Sequence, residues 1–551
     1  MGKKLTTILT LGLVCSLSAC QNLPTSGPVT AFELQENDAN SLVLKGFGPV
    51  KDAEADTIVR DFLRATAAGW SDDFQVARSY LTQEARRSWK PATSVYVYSD
   101  DYPPVISYDG ESKITAATRV EASVSKDGLY QIEKTNSVYK SEFVLERDGQ
   151  NQWRIASLPD GAVISESSFR AAFQRSAVFF PATDRRTLVA DYRWFPRRRL
   201  ASYLMQAILA GPSESVAPAV INAAPEGAVL PLQNVEVRDS VAEVEVEGYG
   251  LGTESSQLLF KWQVNATLLQ VSNVSDVRIR INGVLISDQP VPTGPAWALD
   301  TLISLSKEGI IRDRDGKREV VLSTTDLGDE PVSYPTRGPL EDSAVAYIQG
   351  GSKILVVGKN TQPKEIYEGE KISSLSIDRA NWVWTVSKGK IIVVRAGAEP
   401  ILFDSPFGAE EEITAVRVSP DGARLLVIRG GQNPTVGVLP IRRNVDARPS
   451  GIGNVELLPT GDARTLDATW AGNETVAVLQ AEAESRYVLI SQLGANSERV
   501  RAPERVQRIS GGASSQFLLL ETEDGKYYTR TGSLWNALAT TSDIRFRAFP
   551  H

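Results

Sequence analysis

The sequence predicts a multidomain fold in which two α+β domains are followed by an all-β, propeller-like domain. The chain has 551 residues, several times more than one hydrophobic core usually organises. Amphipathic helices alternate with strand-like segments up to about residue 295, and short apolar β segments then repeat to the last residue. These changes divide the chain into five parts, at 1–19, 20–50, 51–170, 171–295 and 296–551.

The first 19 residues have the pattern of a lipoprotein signal peptide. Two lysines are followed by an uncharged run over residues 5–17, which fits the apolar region of a signal peptide and is shorter than the roughly 20 residues that span a bilayer. The run ends in Leu17-Ser18-Ala19-Cys20, which matches a lipobox. We predict that Cys20 carries a diacylglyceryl group, whose two acyl chains hold residues 20–50 as a tether on the extracytoplasmic face of the cell membrane. The alternative is an ordinary secretory signal in which Cys20 is incidental.

Cysteine content and charge restrict the mature protein further. Cys15 lies inside the predicted signal, so acylation of Cys20 leaves no thiol for a disulfide, and stability has to come from packing. The net charge is −8, and removal of residues 1–19 with their two lysines makes it −8 − 2 = −10. An acidic protein of this kind is not expected to bind nucleic acid.

The single histidine, His551, restricts the possible chemistry. No Ser-His-Asp or Cys-His arrangement can be built from this chain, nor a site in which several histidines hold a metal. We therefore expect no enzyme activity, no cofactor and no metal. A hydrolase that uses a carboxylate pair on the propeller axis is kept as the third and least favoured hypothesis.

Residues 51–170 are predicted to form the first α+β domain, with helices before strands. The first helix has an apolar face at helical spacing, made of Ile58, Val59, Phe62 and Leu63. A later helix begins after Thr82, whose hydroxyl can cap its first turn. Alternating strands follow at 95–98, 114–124, 128–134 and 139–146. Helices followed by an antiparallel sheet resemble the cone-shaped NTF2-like arrangement.

Residues 171–295 are predicted to form the second α+β domain. A helix over 199–210 ends at Gly211-Pro212, which is typical of a helix stop. Two alternating strands flank Asp239-Ser240 and indicate a tight hairpin. After a long amphipathic helix, a strand over 277–281 leads into an Asn282-Gly283 turn.

Residues 296–551 contain a repeat of two apolar strands joined by a turn. Four copies begin at residues 372, 413, 466 and 506, and their spacings are 41, 53 and 40 residues. A degenerate fifth copy spans 345–357, and Pro420 and Gly422 suit a type I turn in the clearest copy. Units of about 40 residues with several strands predict a β-propeller of about six blades. A pair of β-sandwiches is the alternative.

Ordered motifs in the second domain resemble GerMN domains, and the whole chain resembles the LpqB family of actinobacterial lipoproteins. The motifs are Val178-Phe179-Phe180-Pro181, Leu209-Ala210-Gly211-Pro212, Pro225-Glu226-Gly227, Thr267-Leu268 and the strand ending at Asn282-Gly283, with Leu23-Pro24-Thr25-Ser26-Gly27-Pro28-Val29 after the lipobox. The resemblance implies a lipid anchor, an N-terminal domain, a GerMN domain and a propeller. It also implies an accessory regulator of an MtrA–MtrB two-component system in cell-envelope homeostasis, whose partner is the extracytoplasmic domain of an MtrB-like sensor kinase.

A basic, aromatic stretch in the second domain is the candidate binding site. Guanidinium groups bind phosphate and carboxylate through paired hydrogen bonds, and six arginines lie within 15 residues of this acidic chain. The stretch therefore supports the alternative function, a binding module for cell-wall glycan or an anionic envelope polymer. Its competing interpretation is a solvated loop before a helix, with the aromatic side chains in the core. The candidate residues are Arg185, Arg186, Arg193, Trp194, Arg197, Arg198 and Arg199.

Overall fold

The computed structural model describes residues 46–134, 136–408, 411–432, 434–539 and 543–551. The predicted signal peptide, Cys20 and the first part of the predicted tether lie outside the described residues. In the part of the chain that is described, no helix is both long and apolar enough to cross a bilayer.

The N-terminal domain packs helices against a seven-stranded sheet. Its helices are α1 Ala55–Ala67, α2 Gly69–Asp72, α3 Gln75–Arg78, α4 Gln83–Ser88 and α5 Glu166–Ala172. Its strands are β1 Ser94–Tyr98, β2 Val105–Tyr108, β3 Lys113–Ser125, β4 Tyr130–Ile132, β5 Val138–Arg147, β6 Trp153–Ser157 and β7 Ala162–Ser165.

The order of this sheet is β6-β5-β3-β1-β7, with β2 and β4 also paired to β3 and with β7 parallel to β1. Helix α1 buries Ile58, Val59 and Phe62 against the sheet, and the Phe62 ring centroid lies 6.0 Å from that of Phe143. The hydroxyl of Thr82 accepts a bond from the first turn of α4, which confirms the capping role. The predicted order of helices followed by antiparallel strands is confirmed.

The second domain combines a long hairpin, a four-stranded sheet and two helices. Its elements are β8 Phe173–Pro181, β9 Leu188–Pro196, α6 Leu200–Ala210, β10 Glu236–Arg238, β11 Val241–Val246, α7 Glu254–Leu268, β12 Asp276–Ile281 and β13 Val284–Leu285. The sheet order is β10-β11-β12-β13, and α7 is the crossover between the parallel strands β11 and β12. Asp239-Ser240 and Asn282-Gly283 both have positive φ at each residue, as two-residue hairpin turns prefer.

Strand β9 contradicts the loop interpretation of the segment before α6. Nine residues of β9 pair with nine of β8, and the buried positions Val189, Asp191, Arg193 and Phe195 alternate along it. Two of these four inward positions are charged, and this concealed the alternation of apolar and polar residues in the sequence.

The C-terminal domain contains six antiparallel sheets, here called blades 1 to 6. The strands are β14 Leu302–Ser306, β15 Gly309–Arg314, β16 Lys317–Ser323, β17 Val332–Arg337, β18 Val345–Gln349, β19 Lys353–Val357, β20 Lys364–Glu368, β21 Leu375–Ile377, β22 Val383–Ser387, β23 Lys390–Val394, β24 Ile401–Phe403, β25 Ile413–Val418, β26 Arg424–Arg429, β27 Thr435–Arg443, β28 Pro449–Ile452, β29 Glu456–Leu457, β30 Arg464–Ala471, β31 Thr475–Glu482, β32 Ser485–Gln492, β33 Ser497–Ala502, β34 Val506–Gly511, β35 Leu518–Thr522, β36 Tyr527–Thr531, β37 Leu534–Ala537 and β38 Arg545–Ala548.

Blade 1 is β16-β15-β14-β38, so the last strand completes the first sheet and closes the ring. Blades 2, 3, 5 and 6 each have four consecutive strands, and blade 4 has a fifth strand, β29, beside β27. The six sheets agree with the expected blade number. A short helix, α8 Thr324–Leu327, lies between β16 of blade 1 and β17 of blade 2, and it was not foreseen in this β-rich region.

The four clear sequence repeats correspond to the first two strands of blades 3 to 6. The fifth copy, 345–357, was assigned to the wrong strands, because it is the second and third strands of blade 2. The true first strand, β17, has an irregular register between Ser333 and Thr336. It also contains Pro335 and has Tyr334 at φ +50°, and these features remove the period-two pattern.

Candidate functional site at the junction of the three domains

The basic, aromatic stretch lies where the three domains meet. It covers the turn before β9, the second half of β9 and the residues that lead into α6. The described side chains of the stretch divide into four groups with different surroundings. Cys20, the predicted lipidation site, lies outside the described residues.

Arg193 belongs to the interior of the second domain. Its side chain is 4% exposed and pairs with Asp191, which is 3% exposed, at 2.7 Å. Arg193 also donates to the carbonyl oxygen of Gly211 at 2.7 Å, and Asp191 accepts from the backbone N–H and the hydroxyl of Ser213. The two charges therefore connect β9 to the C-terminal end of α6, and no part of the pair is open to a polymer.

Trp194 contacts both neighbouring domains. Its ring centroid lies 4.7 Å from that of Phe169 and 5.8 Å from that of Tyr130, which both belong to the N-terminal domain. Its Nε1–H donates to the carbonyl oxygen of Gly494 in blade 5 at 2.7 Å. An indole that is apolar on its faces and bonded at its edge suits such a junction.

A glycine allows the N-terminal domain to approach this strand closely. Gly128 has φ +80°, and a Cβ there would lie 2.7 Å from the carbonyl oxygen of Trp194. The backbone N–H of Trp194 donates to the carbonyl oxygen of Gly128 at 2.8 Å. Beside it, burial raises the pKa of Tyr130, whose hydroxyl donates to Asn496 of the propeller at 2.6 Å.

The three arginines before α6 are exposed but point to the N-terminal domain. Arg197 donates to the carbonyl oxygen of Arg170 at 3.3 Å, and Arg198 donates to the carbonyl oxygen of Ser71 at 2.6 Å. Arg199 donates to Asp73 at 2.9 Å. These contacts are solvent-exposed, so each adds little stability, but together they occupy the guanidinium groups.

Arg185 and Arg186 form the fourth group. Both are exposed in the turn between β8 and β9, and neither side chain makes an ion pair or a hydrogen bond with the described residues. Of the predicted site residues, these two remain available to an anionic ligand. The structure thus does not bring the seven candidates together as one surface.

Buried charges join the second domain to the propeller. Asp184 pairs with Arg379 of blade 3 at 2.5 Å, and their side chains are 6% and 5% exposed. Burial acts to raise the pKa of Asp184, but the hydrogen bond and charge of Arg379 outweigh it and hold that pKa below its usual value. Arg424 donates to the carbonyl oxygen of Ala190 at 2.7 Å.

A second arginine contact between these domains was not predicted from the sequence. Arg175 of β8 pairs with Glu474 at 2.9 Å and donates to the carbonyl oxygen of Leu493. Its guanidinium lies 4.1 Å from the ring centroid of Tyr192. These partners are about 300 residues apart in sequence, so no local pattern could indicate them.

Two largely buried carboxyl groups of the propeller each face a guanidinium. Asp467 lies 4.0 Å from Arg417, and Glu521 lies 3.7 Å from Arg508. Burial raises the pKa of both acids and lowers that of Arg417. Within the described residues, no group of three or more His, Cys, Asp or Glu side chains could hold a metal ion.

Three family profiles match the chain in succession. Residues 48–170 match the profile described as the N-terminal domain of lipoprotein LpqB. Residues 177–286 match a profile described as sporulation and spore germination, the GerMN type, and residues 308–550 match the LpqB β-propeller domain.

The chain is also similar to curated lipoproteins of actinobacteria. Lipoprotein LpqB of Bifidobacterium longum is 26% identical over 79% of this chain and 78% of its own length. Lipoprotein LpqB of Corynebacterium diphtheriae is 32% identical over 41% of this chain and 39% of its own. Lipoprotein LpqB of Rhodococcus opacus is 23% identical over 89% and 87%.

Proposed function

We propose, on the premise that the chain belongs to the LpqB family of lipoproteins, that it is an accessory regulator of an MtrB-like sensor kinase. Acylated Cys20 holds it on the extracytoplasmic face of the cell membrane. There it binds the extracytoplasmic domain of the kinase and adjusts signalling in cell-envelope homeostasis. The protein performs no chemistry on a substrate in this role.

The observation that carries the proposal is the set of specific contacts that joins the three domains. Trp194 contacts the N-terminal domain and blade 5, and the Asp184–Arg379 pair is buried between the second domain and blade 3. Inter-domain interfaces within a chain are otherwise often loose enough for relative motion. A preorganised body behind a lipid anchor can present a fixed surface to a membrane partner at low entropic cost.

The test is direct binding between purified extracytoplasmic parts. Residues 21–551 are immobilised through their N-terminal end and exposed to the sensor domain of the MtrB-like kinase of the same organism. We expect saturable binding, and an unrelated sensor domain of similar charge is the control. Absence of saturable binding by a folded ectodomain would overturn the proposal.

A second function is favoured by Arg185 and Arg186, whose exposed guanidinium groups make no ion pair or hydrogen bond with the described residues. It is the binding of cell-wall glycan or an anionic envelope polymer at this turn. The double variant R185Q/R186Q is expected to lose salt-sensitive retention on purified cell wall. Arg87 and Arg501 are also exposed, so R87Q/R501Q is the matched control. Equal retention of the two double variants would exclude this function.

A further inference from the structure

A cleft of about 340 Å³ opens in the second domain beside the first turns of α7. We call it the α7 cleft. It is bordered by the loop 223–226, the glycine-rich loop 249–252 and the exposed start of the helix. We infer that the α7 cleft is a docking site for a basic, apolar segment of a partner protein.

The apolar character of the cleft is the first argument. Phe260 and Ile281 form its floor, and both also belong to the core of the domain. Tyr249 and Leu251 stand at its rim with 85% and 38% of their surfaces exposed. A cleft with an apolar floor and exposed apolar rim residues is typical of an interaction site, and an exposed tyrosine is a common energetic centre of protein interfaces.

The backbone holds the rim tyrosine in a defined place. The N–H of Tyr249 donates to the carbonyl oxygen of Glu226 at 3.0 Å. Gly227 has φ +67°, and a Cβ there would lie 2.6 Å from the Tyr249 ring. The ring therefore rests against a glycine backbone and projects into solvent, so binding requires little ordering of this side chain.

The charge around the cleft indicates the chemistry of the occupant. Glu226 lines the cleft, and Glu247 lies two residues before the rim residue Tyr249. Both are exposed, and neither makes an ion pair with the described residues. The neighbouring cations are engaged elsewhere, because Arg280 pairs with Glu243 at 3.1 Å and Lys261 donates to the carbonyl oxygen of Ser287. An uncompensated negative rim beside an apolar floor complements a segment with Lys or Arg next to an aliphatic or aromatic side chain.

This inference goes beyond the proposed function, because it concerns one surface and holds whichever protein binds there. The test is a photo-crosslink in intact cells from p-benzoylphenylalanine in place of Tyr249. The matched control carries the same group in place of Tyr102, which is 51% exposed in the N-terminal domain. Neither position is buried, so both chains are expected to fold.

We expect position 249, and not position 102, to crosslink to a protein segment that contains Lys or Arg beside an apolar side chain. Glu226→Lys in the same chain is expected to reduce the yield roughly fivefold to tenfold through charge repulsion. Crosslinks to lipid, to glycan or to a second copy of the chain would overturn the inference. So would equal yields at the two positions, or a yield that Glu226→Lys leaves unchanged. Failure of the sensor-domain assay alone would overturn the proposed function and leave this inference standing.

Discussion

His551 shows how burial in the propeller changes the pKa of a single side chain. Its backbone carbonyl oxygen accepts from the N–H of Ile377 at 2.7 Å and from the hydroxyl of Thr336 at 3.2 Å. Burial, reinforced by the positive charge of Arg417, lowers the pKa of the imidazole from 6.5 to about 3. The ring is therefore neutral in the folded protein over the physiological pH range.

Because the chain has one histidine, its titration can be followed without assignment. We expect the imidazole proton resonances of the folded ectodomain to stay constant from pH 7 to below pH 5. The unfolded chain binds this proton near pH 6.5 and the folded chain near pH 3. The contribution of this group to the free energy of unfolding is therefore fully present above pH 6.5 and decreases as the pH falls toward 3. A titration midpoint near 6.5 in the folded protein would show that the ring is solvated.

Truncation of two arginines, one in β9 and one in the turn before it, should change the stability by very different amounts. Arg193→Ala leaves Asp191 buried without its cation, and loss of one partner of a buried pair costs about 3–5 kcal/mol. Arg186→Ala removes an exposed side chain and should change the free energy of unfolding by less than about 0.5 kcal/mol. Urea unfolding measures the free energy of unfolding of each variant. Similar changes in the two variants would mean that Arg193 is not buried in solution.

At the scale of elements, patterns within a short segment were predicted correctly and contacts between distant segments were not. The helix stop at Gly211, the hairpin at Asp239-Ser240 and the Asn282-Gly283 turn are determined by neighbouring residues, and the structure has all three. Strand β9 was not recognised, because its inward-facing Asp191 and Arg193 satisfy each other inside the domain. A charged residue among the inward positions of a segment is compatible with a buried strand only if its partner is known, and the sequence alone does not identify that partner.

The same reason explains what could be predicted of the candidate site. The sequence indicated that residues 185–199 are unusual, but the partners of Trp194 and Asp184 come from domains that lie before or far after them. Composition could not separate the two exposed arginines Arg185 and Arg186 from the arginines that hold domains together.

The Asp184–Arg379 pair should couple the second domain to the propeller. Asp184→Ala and Arg379→Ala are each expected to cost about 3 kcal/mol, and the double variant less than their sum. Faster protease cleavage of the segment between β13 and β14 in these variants would report a loosened junction. The exposed Glu236–Arg238 pair, with side chains 53% and 71% exposed, is the control and should show coupling below about 1 kcal/mol. Equal coupling in the two cycles would contradict the account of the junction.

At the scale of the whole molecule, the last strand closes the ring of blades. Strand β38 pairs with β14 through Ile303 with Ala548 and Leu305 with Arg545. Without it, blade 1 would expose the unpaired edge of β14 toward the axis. Closure by one strand therefore links the stability of the first blade to residues more than 200 positions away in sequence.

Deletion of residues 545–551 should consequently destabilise the propeller as a unit. We expect the melting temperature of the propeller transition to fall by about 10 °C or more, and the transition to broaden. Arg545→Ala removes an exposed side chain but keeps the strand, so it serves as the control. A deletion variant that melts like the control would show that ring closure contributes little.

The central claim is that an anchored, preorganised three-domain protein meets a sensor kinase outside the membrane. The most direct measurement is chemical crosslinking in intact cells that carry the full chain with Cys20, followed by identification of the captured peptides by mass spectrometry. The account predicts peptides from the extracytoplasmic domain of an MtrB-like kinase, and their loss when Cys20→Ser removes the anchor. Recovery of only wall polymer or envelope enzymes, with or without Cys20, would contradict it.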